Sequence, residues 1–166
     1  MKIESIEAQD ITSVAELYCR VFSSDVETAE QNISKHAGYL GFKGVLATDE
    51  NGSTLGFAYG YTSLPGQFYR EKLVNQLTQA QIEEWLEDCF EFVELAVNPD
   101  HLRKGIASKL KEHLFKGLSK QTSVLTTATD NDAALQMYKR NGWEVLHPSA
   151  PVLSEANPQV IMAKKL

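Results

Sequence analysis

The sequence predicts a mixed α/β (α+β) fold, one domain over residues 1–166, and three observations carry that prediction. Its 166 residues suffice for a single sizeable core and require no second one. Stretches with apolar residues at helical spacing are interleaved with stretches that alternate or run continuously apolar, and no repeat, low-complexity tract or linker interrupts them. With 43% hydrophobic and 23% charged residues, the composition is that of a globular protein and excludes wholesale disorder.

Each element follows from its own signals. The alternation in KIESIEA gives a short strand. In DITSVAELYCRVF an Asp/Thr start precedes Ile11, Val14, Leu17, Tyr18 and Val21 at helical spacing. A second helix covers VETAEQNISKH. The stretch FKGVLATDENGSTLGFAYGYTSL reads as a hairpin, two strands around the turn residues Asp49 to Gly52. After the Pro65–Gly66 break, PGQFYREKLVNQLTQAQIEEWLEDC is helical in one or two pieces. FEFVELAVNP is the strongest strand, apolar on both faces and stopped by Asn98–Pro99. A helix from Gly105 to about Leu118 follows, then the strand SVLTTAT. The helix NDAALQMYKRN comes next, ended by Gly142 as a left-handed cap. WEVLHP and PQVIMAKKL supply the last two strands.

The formal net charge of -6 argues against nucleic acid as a partner, because phosphate binding needs an excess of cations. It is compatible with a cationic substrate. Cys19 and Cys89 are the only cysteines, with no CxxC or zinc spacing, and read as small core residues. The start MKIESIEAQD has no apolar signal region, and no run approaches membrane-spanning length. A cytoplasmic protein that engages no membrane is the expectation.

The stretch VNPDHLRKGIASKL carries the first chemical signal. A helix start presents unpaired backbone N–H groups and the positive end of the helix dipole, which together attract anions. Gly105 lets a phosphate approach the backbone, Ala107 keeps the next position small, and Arg103 and Lys104 add charge. Ile106 and Leu110, at i and i+4, can anchor the helix to a sheet. An ordinary strand–loop–helix connection with solvated cations explains this stretch equally well when it stands alone.

Strand, Pro, basic-Gly turn and helix, followed by a strand and NDAALQMYKRNGW, together resemble the GNAT superfamily of N-acetyltransferases. The family's phosphate loop, Gln/Arg-x-x-Gly-x-Gly/Ala, falls on Leu102, Arg103, Lys104, Gly105, Ile106 and Ala107; Leu102 departs from the pattern, with Arg103 beside it. The second block falls on Asn131, Ala134, Tyr138 and Gly142–Trp143. The resemblance implies a mixed, mostly antiparallel central sheet flanked by helices, with two splayed parallel central strands. It also implies acetyl-CoA as co-substrate. The strand edge at Leu95, Ala96 and Val97 would pair with the pantetheine amides, and the pyrophosphate would sit on the amides of Arg103 to Ser108.

Direct attack by a neutral amine needs a base to take a proton and an acid to protonate the departing thiolate. The resemblance makes Tyr138 the acid; without it, a Tyr at helical spacing from its apolar neighbours is a core residue. Glu91 and Glu94 are the carboxylates of an otherwise apolar strand and fall on opposite faces by alternation. Family members often place a base on the face of the residue matching Val97, which favours Glu91; Glu94 is the rival, nearer the point where the strands part. A structural ion pair for each, an exposed strand start for Glu91, and deprotonation through water are the alternatives.

Glu83, Glu84, Glu87 and Asp88 read as a solvated helix face. His36, His101, His113 and His147 are scattered without metal spacing, so no metal is expected. The expected partner is a small-molecule or peptide amine, and a homodimer would suit the superfamily. Other readings are transfer of another acyl group, transfer to a hydroxyl, a non-catalytic acyl-CoA sensor, and an interaction domain that binds no nucleotide. The acceptor region would comprise about residues 23–41 and 65–88, neither of which carries a motif for one particular amine.

Overall fold

Every element expected from the sequence is present in the computed structural model, which describes residues 1–166. In chain order these are β1 (Lys2–Ser5), α1 (Ile11–Phe22), α2 (Val26–Ala37), β2 (Lys43–Thr48), β3 (Thr54–Thr62), α3 (Phe68–Val74) and α4 (Gln79–Trp85). They continue with β4 (Cys89–Val97), α5 (Ile106–Phe115), β5 (Thr122–Ala128), α6 (Asp132–Arg140), β6 (Glu144–Ala150) and β7 (Gln159–Lys165). The stretch after Pro65 is two helices. Thr78 starts the second by accepting from the Gln81 amide at 3.1 Å, while Gln81 Oε1 accepts from the Thr78 amide at 3.0 Å.

The strands form one mixed sheet in the order β1-β2-β3-β4-β5-β7-β6. The pairs β1/β2, β2/β3, β5/β7 and β6/β7 are antiparallel. β4 and β5 are parallel, paired from Cys89–Thr122 to Glu91–Val124, while the strands themselves run on to Val97 and Ala128. No helix is long and apolar enough to cross a membrane.

The chain packs as two compact units, one comprising Met1–Tyr61 with Val93–Leu118 and the other Thr62–Phe92 with Ser119–Leu166. In the first, Val14, Ala15 and Leu17 of α1 and Ala29 and Ile33 of α2 cover Leu46, Phe57, Tyr59 and Ala96. Burying each large aliphatic or aromatic side chain there contributes ~1.5–3 kcal/mol. Gly56 lets strands and α5 approach closely: a Cβ there would stand 2.8 Å from the Ala96 carbonyl oxygen and 3.0 Å from a Leu110 methyl. In the second unit, Leu73, Leu86, Cys89, Val124, Val152 and Ile161 form the core.

Candidate active site

The turn after β4 is held from outside by an arginine. Asn98 ends the strand by donating its amide to the Leu55 carbonyl at 2.8 Å. Its side-chain oxygen accepts from the Asp100 amide at 3.1 Å and from Arg20 Nη1 at 3.0 Å. Arg20 Nη2 pairs with Asp100 Oδ2 at 2.8 Å, and this guanidinium holds the Asp100 carboxyl below its ordinary range. α1 thereby sets the path of the loop that leads into α5.

That loop is built for close approach to its backbone. Arg103 (φ 58°) and Gly105 (φ 75°) both adopt the left-handed region. Gly105 caps α5 without offering a side chain, so the first-turn amides have no side-chain acceptor. A Cβ on Gly105 would meet nothing within 4 Å. Arg103 and Lys104 are exposed and paired with no carboxylate; Lys104 Nζ lies 3.3 Å from His101 Nδ1. Ile106 and Leu110 are buried and fix the helix, as their i,i+4 spacing predicted. Uncapped amides, a glycine and two free cations suit a pyrophosphate. Leu102 is 56% exposed, so its side chain points to solvent where the family pattern has Gln or Arg.

Glu94 lies on the same half of β4 as Leu95, Ala96 and Val97, in the first unit. It has no hydrogen-bond or ion-pair partner, and desolvation alone pushes its carboxyl up to about 8. A carboxyl so tuned can take a proton near neutral pH and release it again. The phenol of Tyr18, on α1, is raised first by burial and then by the Glu94 charge, which puts the two groups within electrostatic reach.

Glu91, Asn131, Ala134 and Tyr138 lie in the second unit. Glu91 is 2% exposed, which removes the expectation of an exposed strand start. Its Oε1 accepts from Ser63 Oγ at 3.4 Å, and Arg70 Nη1 donates to Ser63 Oγ at 3.2 Å and to the Ser63 and Leu86 carbonyls at 3.0 Å. This buried polar chain ties α3 to the start of β4. Asn131 caps α6, its side chain accepting from the Ala134 amide at 3.3 Å.

The Tyr138 ring is 7% exposed and packs edge-on against Phe92 at 6.4 Å and Trp143 at 5.7 Å. Gly142 (φ 86°) ends α6 so that the Trp143 amide reaches back to the Tyr138 carbonyl at 3.1 Å. The ring therefore has a packing role of its own, whatever its hydroxyl does.

Of the acidic run expected on one helix face, Glu83 and Glu84 lie on α4, whereas Glu87 and Asp88 fall in the turn after it. Asp88 pairs with Lys120 at 3.2 Å and Glu84 with Lys165 at 3.6 Å. Burial pushes the Cys89 thiol up to about 12, as suits a core residue. Sequence reasoning missed Arg20 and gave His36 no role. Arg20 is the one basic residue of α1, a signal available in the sequence. His36 lies in the last turn of α2 with Nδ1 3.0 Å from the Tyr59 hydroxyl, and burial lowers it to about 4.

Comparison with known proteins matches residues 11–143 to the Acetyltransferase (GNAT) family. A GCN5-like protein acetyltransferase, Rv2170 of Mycobacterium tuberculosis, is 29% identical over 101 residues, 56% of this chain and 49% of that protein. The chain thus matches about half the length of that curated relative. Among solved structures, the ribosomal-protein-alanine N-acetyltransferase of Brucella melitensis superposes with a TM-score of 0.72 at 15% identity, covering 100% of both chains. A phosphinothricin acetyltransferase of Sinorhizobium meliloti, in complex with acetyl-CoA, gives 0.70 at 16% identity, covering 99% of this chain and 88% of that one. At these identities the two structures speak for the fold.

Proposed function

Since the chain belongs to the GNAT acetyltransferase family, we propose that it moves the acetyl group of acetyl-CoA directly to a primary amine, carried on a small molecule or a peptide. The observation that carries this reading is the loop from Arg103 to Ser108, whose uncapped amides, left-handed Gly105 and free cations suit the CoA pyrophosphate. The strand edge at Leu95 to Val97 offers backbone groups to the pantetheine amides.

In the transfer, the amine nitrogen attacks the thioester carbonyl carbon. The new C–N bond forms, the C–S bond breaks, and the electron pair leaves on sulfur. The amine's proton goes to a base and the thiolate takes one from an acid. Glu94 supports the base role better than Glu91, because its carboxyl is unpartnered and raised whereas Glu91 bonds within a buried structural chain. Tyr138 is the acid that the family pattern supplies.

The test is an acceptor panel with acetyl-CoA, released CoA being detected by a thiol reagent. Thiol release that depends on one class of amine supports the proposal. A thermal shift with CoA but no release with any amine would make the chain a sensor.

Tyr138 separates packing from chemistry. Tyr138→Phe keeps the ring, so its Tm is expected to match the parent while the single-turnover rate falls ~10²–10⁴-fold. Tyr138→Ala removes a buried aromatic and is expected to lose ~3–5 kcal/mol of stability in chemical denaturation. Parent-like single-turnover rates in Tyr138→Phe would return the residue to the core.

A further inference from the structure

The sheet face that carries Glu94 also carries an aromatic group that the proposed chemistry does not use. Phe57, Tyr59 and Tyr61 alternate along β3 and so point to one face. Phe57 and Tyr59 join the core cluster that contains Ala96 of β4. Glu94 stands two positions before Ala96 and shares its face by the same alternation. Tyr18 packs against this cluster as well. One strand over, the His36 ring stands among three tyrosines, with centroids 5.7 Å from Tyr39, 5.8 Å from Tyr59 and 5.3 Å from Tyr61. Tyr39 and Tyr61 meet edge-on at 4.9 Å.

Tyr59 and Tyr61 are buried, whereas His36 and Tyr39 are half-buried and form the accessible rim of the group. Tyr59 fixes the imidazole through Nδ1, and Nε2 has no partner in the protein. A helix C-terminus ordinarily favours a charged imidazole, yet burial keeps this one neutral at physiological pH. A neutral ring presents Nε2 as one hydrogen-bonding atom and does not repel a nearby ammonium. Phe22, Val26 and Leu40 are exposed apolar side chains of the α1–α2 segment, set among exposed Asp25, Glu27 and Lys35.

We propose that the half-buried rim of this face, at Glu94, His36 and Tyr39, is the acceptor subsite and takes a monoamine borne on an aromatic body, with the ammonium at Glu94, the ring against Tyr39 and a polar ring substituent on His36 Nε2. The proposal rests on the acetyltransferase reading and names the acceptor class for it. A polyamine would need further carboxylates along its length, and the rings of His36, Tyr39, Tyr59 and Tyr61 supply none. α2 and its N-cap carry Asp25, Glu27 and Glu30, which makes spermidine the probe that decides between the two classes.

The test uses the full chain with saturating acetyl-CoA and four probes: tyramine, 2-phenylethylamine, butylamine and spermidine. The aromatic amines are expected to exceed butylamine about tenfold or more in kcat/KM, with tyramine ahead of 2-phenylethylamine. Two variants separate recognition from packing. His36→Asn keeps a polar atom near Nδ1, and with it the Tyr59 bond, but removes Nε2; His36→Gln keeps a polar atom near Nε2. His36→Asn is expected to erase the advantage of tyramine by raising its KM about tenfold, with CoA affinity by calorimetry unchanged, and His36→Gln to restore much of it. The reverse order, with Asn parent-like and Gln impaired, would show that His36 serves only to hold Tyr59 and would overturn the proposal. Preference for spermidine or butylamine overturns it alone. Turnover of none of the four by a chain that binds CoA overturns it as well, and the acetyltransferase reading falls with it only when the full acceptor panel, peptide amines included, also releases no thiol.

Discussion

A Gly105→Asp protein is expected to bind acetyl-CoA ~10²–10⁴-fold more weakly than the parent while remaining folded. Nothing lies within 4 Å of the position a Cβ would take, so the substitution meets no clash in the free protein. Gly105 holds φ 75°, a conformation that Asp tolerates at a cost of about 1 kcal/mol. The loss comes from the new carboxylate, which competes for the uncapped first-turn amides of α5 and repels an incoming pyrophosphate. Gly105→Asn carries the same backbone cost without the charge and should retain most of the affinity. Calorimetry on both variants, with Tm as the folding check, separates the two effects. Unchanged CoA affinity in a folded Gly105→Asp protein would remove the loop from the site.

Glu94→Gln is expected to lower kcat/KM ~10²–10⁴-fold and to flatten its rise with pH, if Glu94 takes the amine's proton. The parent should gain activity as pH rises through about 8, where the carboxyl ionises. Stability should move the other way. The folded pKa lies above the ordinary 4.5, so the folded chain binds more protons than the unfolded one between those values, and parent stability falls as pH rises from 4.5 to about 8. Gln resembles the protonated acid. Glu94→Gln should therefore be the more stable protein at pH ~9, by no more than about 5 kcal/mol, and converge with the parent below 4.5. His36 acts oppositely: its pKa is lowered from 6.5 to about 4, so its contribution is lost as pH falls through that window. Glu91→Gln is the control, expected to leave the acidic limb of kcat/KM in place. Identical pH profiles in the parent and both variants would assign the proton to water.

The fold was legible where a local signal repeated, and the loop where several residue types converged within a few positions. Phe90 to Val97 read as a strand because apolar residues fall on both of its faces, and Gly142 as a helix end because glycine suits a left-handed cap, which in the structure lets Trp143 reach back to Tyr138. The Arg103–Ser108 loop was legible because a glycine, two cations and a small residue sit together before a helix. Illegible contacts were those between distant positions. Arg20 meets Asn98 and Asp100 across 78 and 80 residues. The Glu91 chain depends on Ser63 and Arg70, which carry no periodic signal. Alternation put Glu91 and Glu94 on opposite faces but could not say which is held in a buried network and which is left without a partner. His36 looked scattered because its three tyrosines come from β3 and from the turn after α2.

The central claim, direct transfer of acetyl to an amine, is tested most directly in a single turnover. The chain is mixed with a stoichiometric amount of acetyl-CoA and an excess of the amine that performs best in the acceptor panel. Free thiol and acetylated amine are then quantified at each time, together with the intact mass of the protein. The account predicts that thiol and acetylamine appear in equal amounts at one rate, with no acetylated protein at any time. Thiol release that precedes the acetylamine, with an acetyl group resident on the chain, would contradict it.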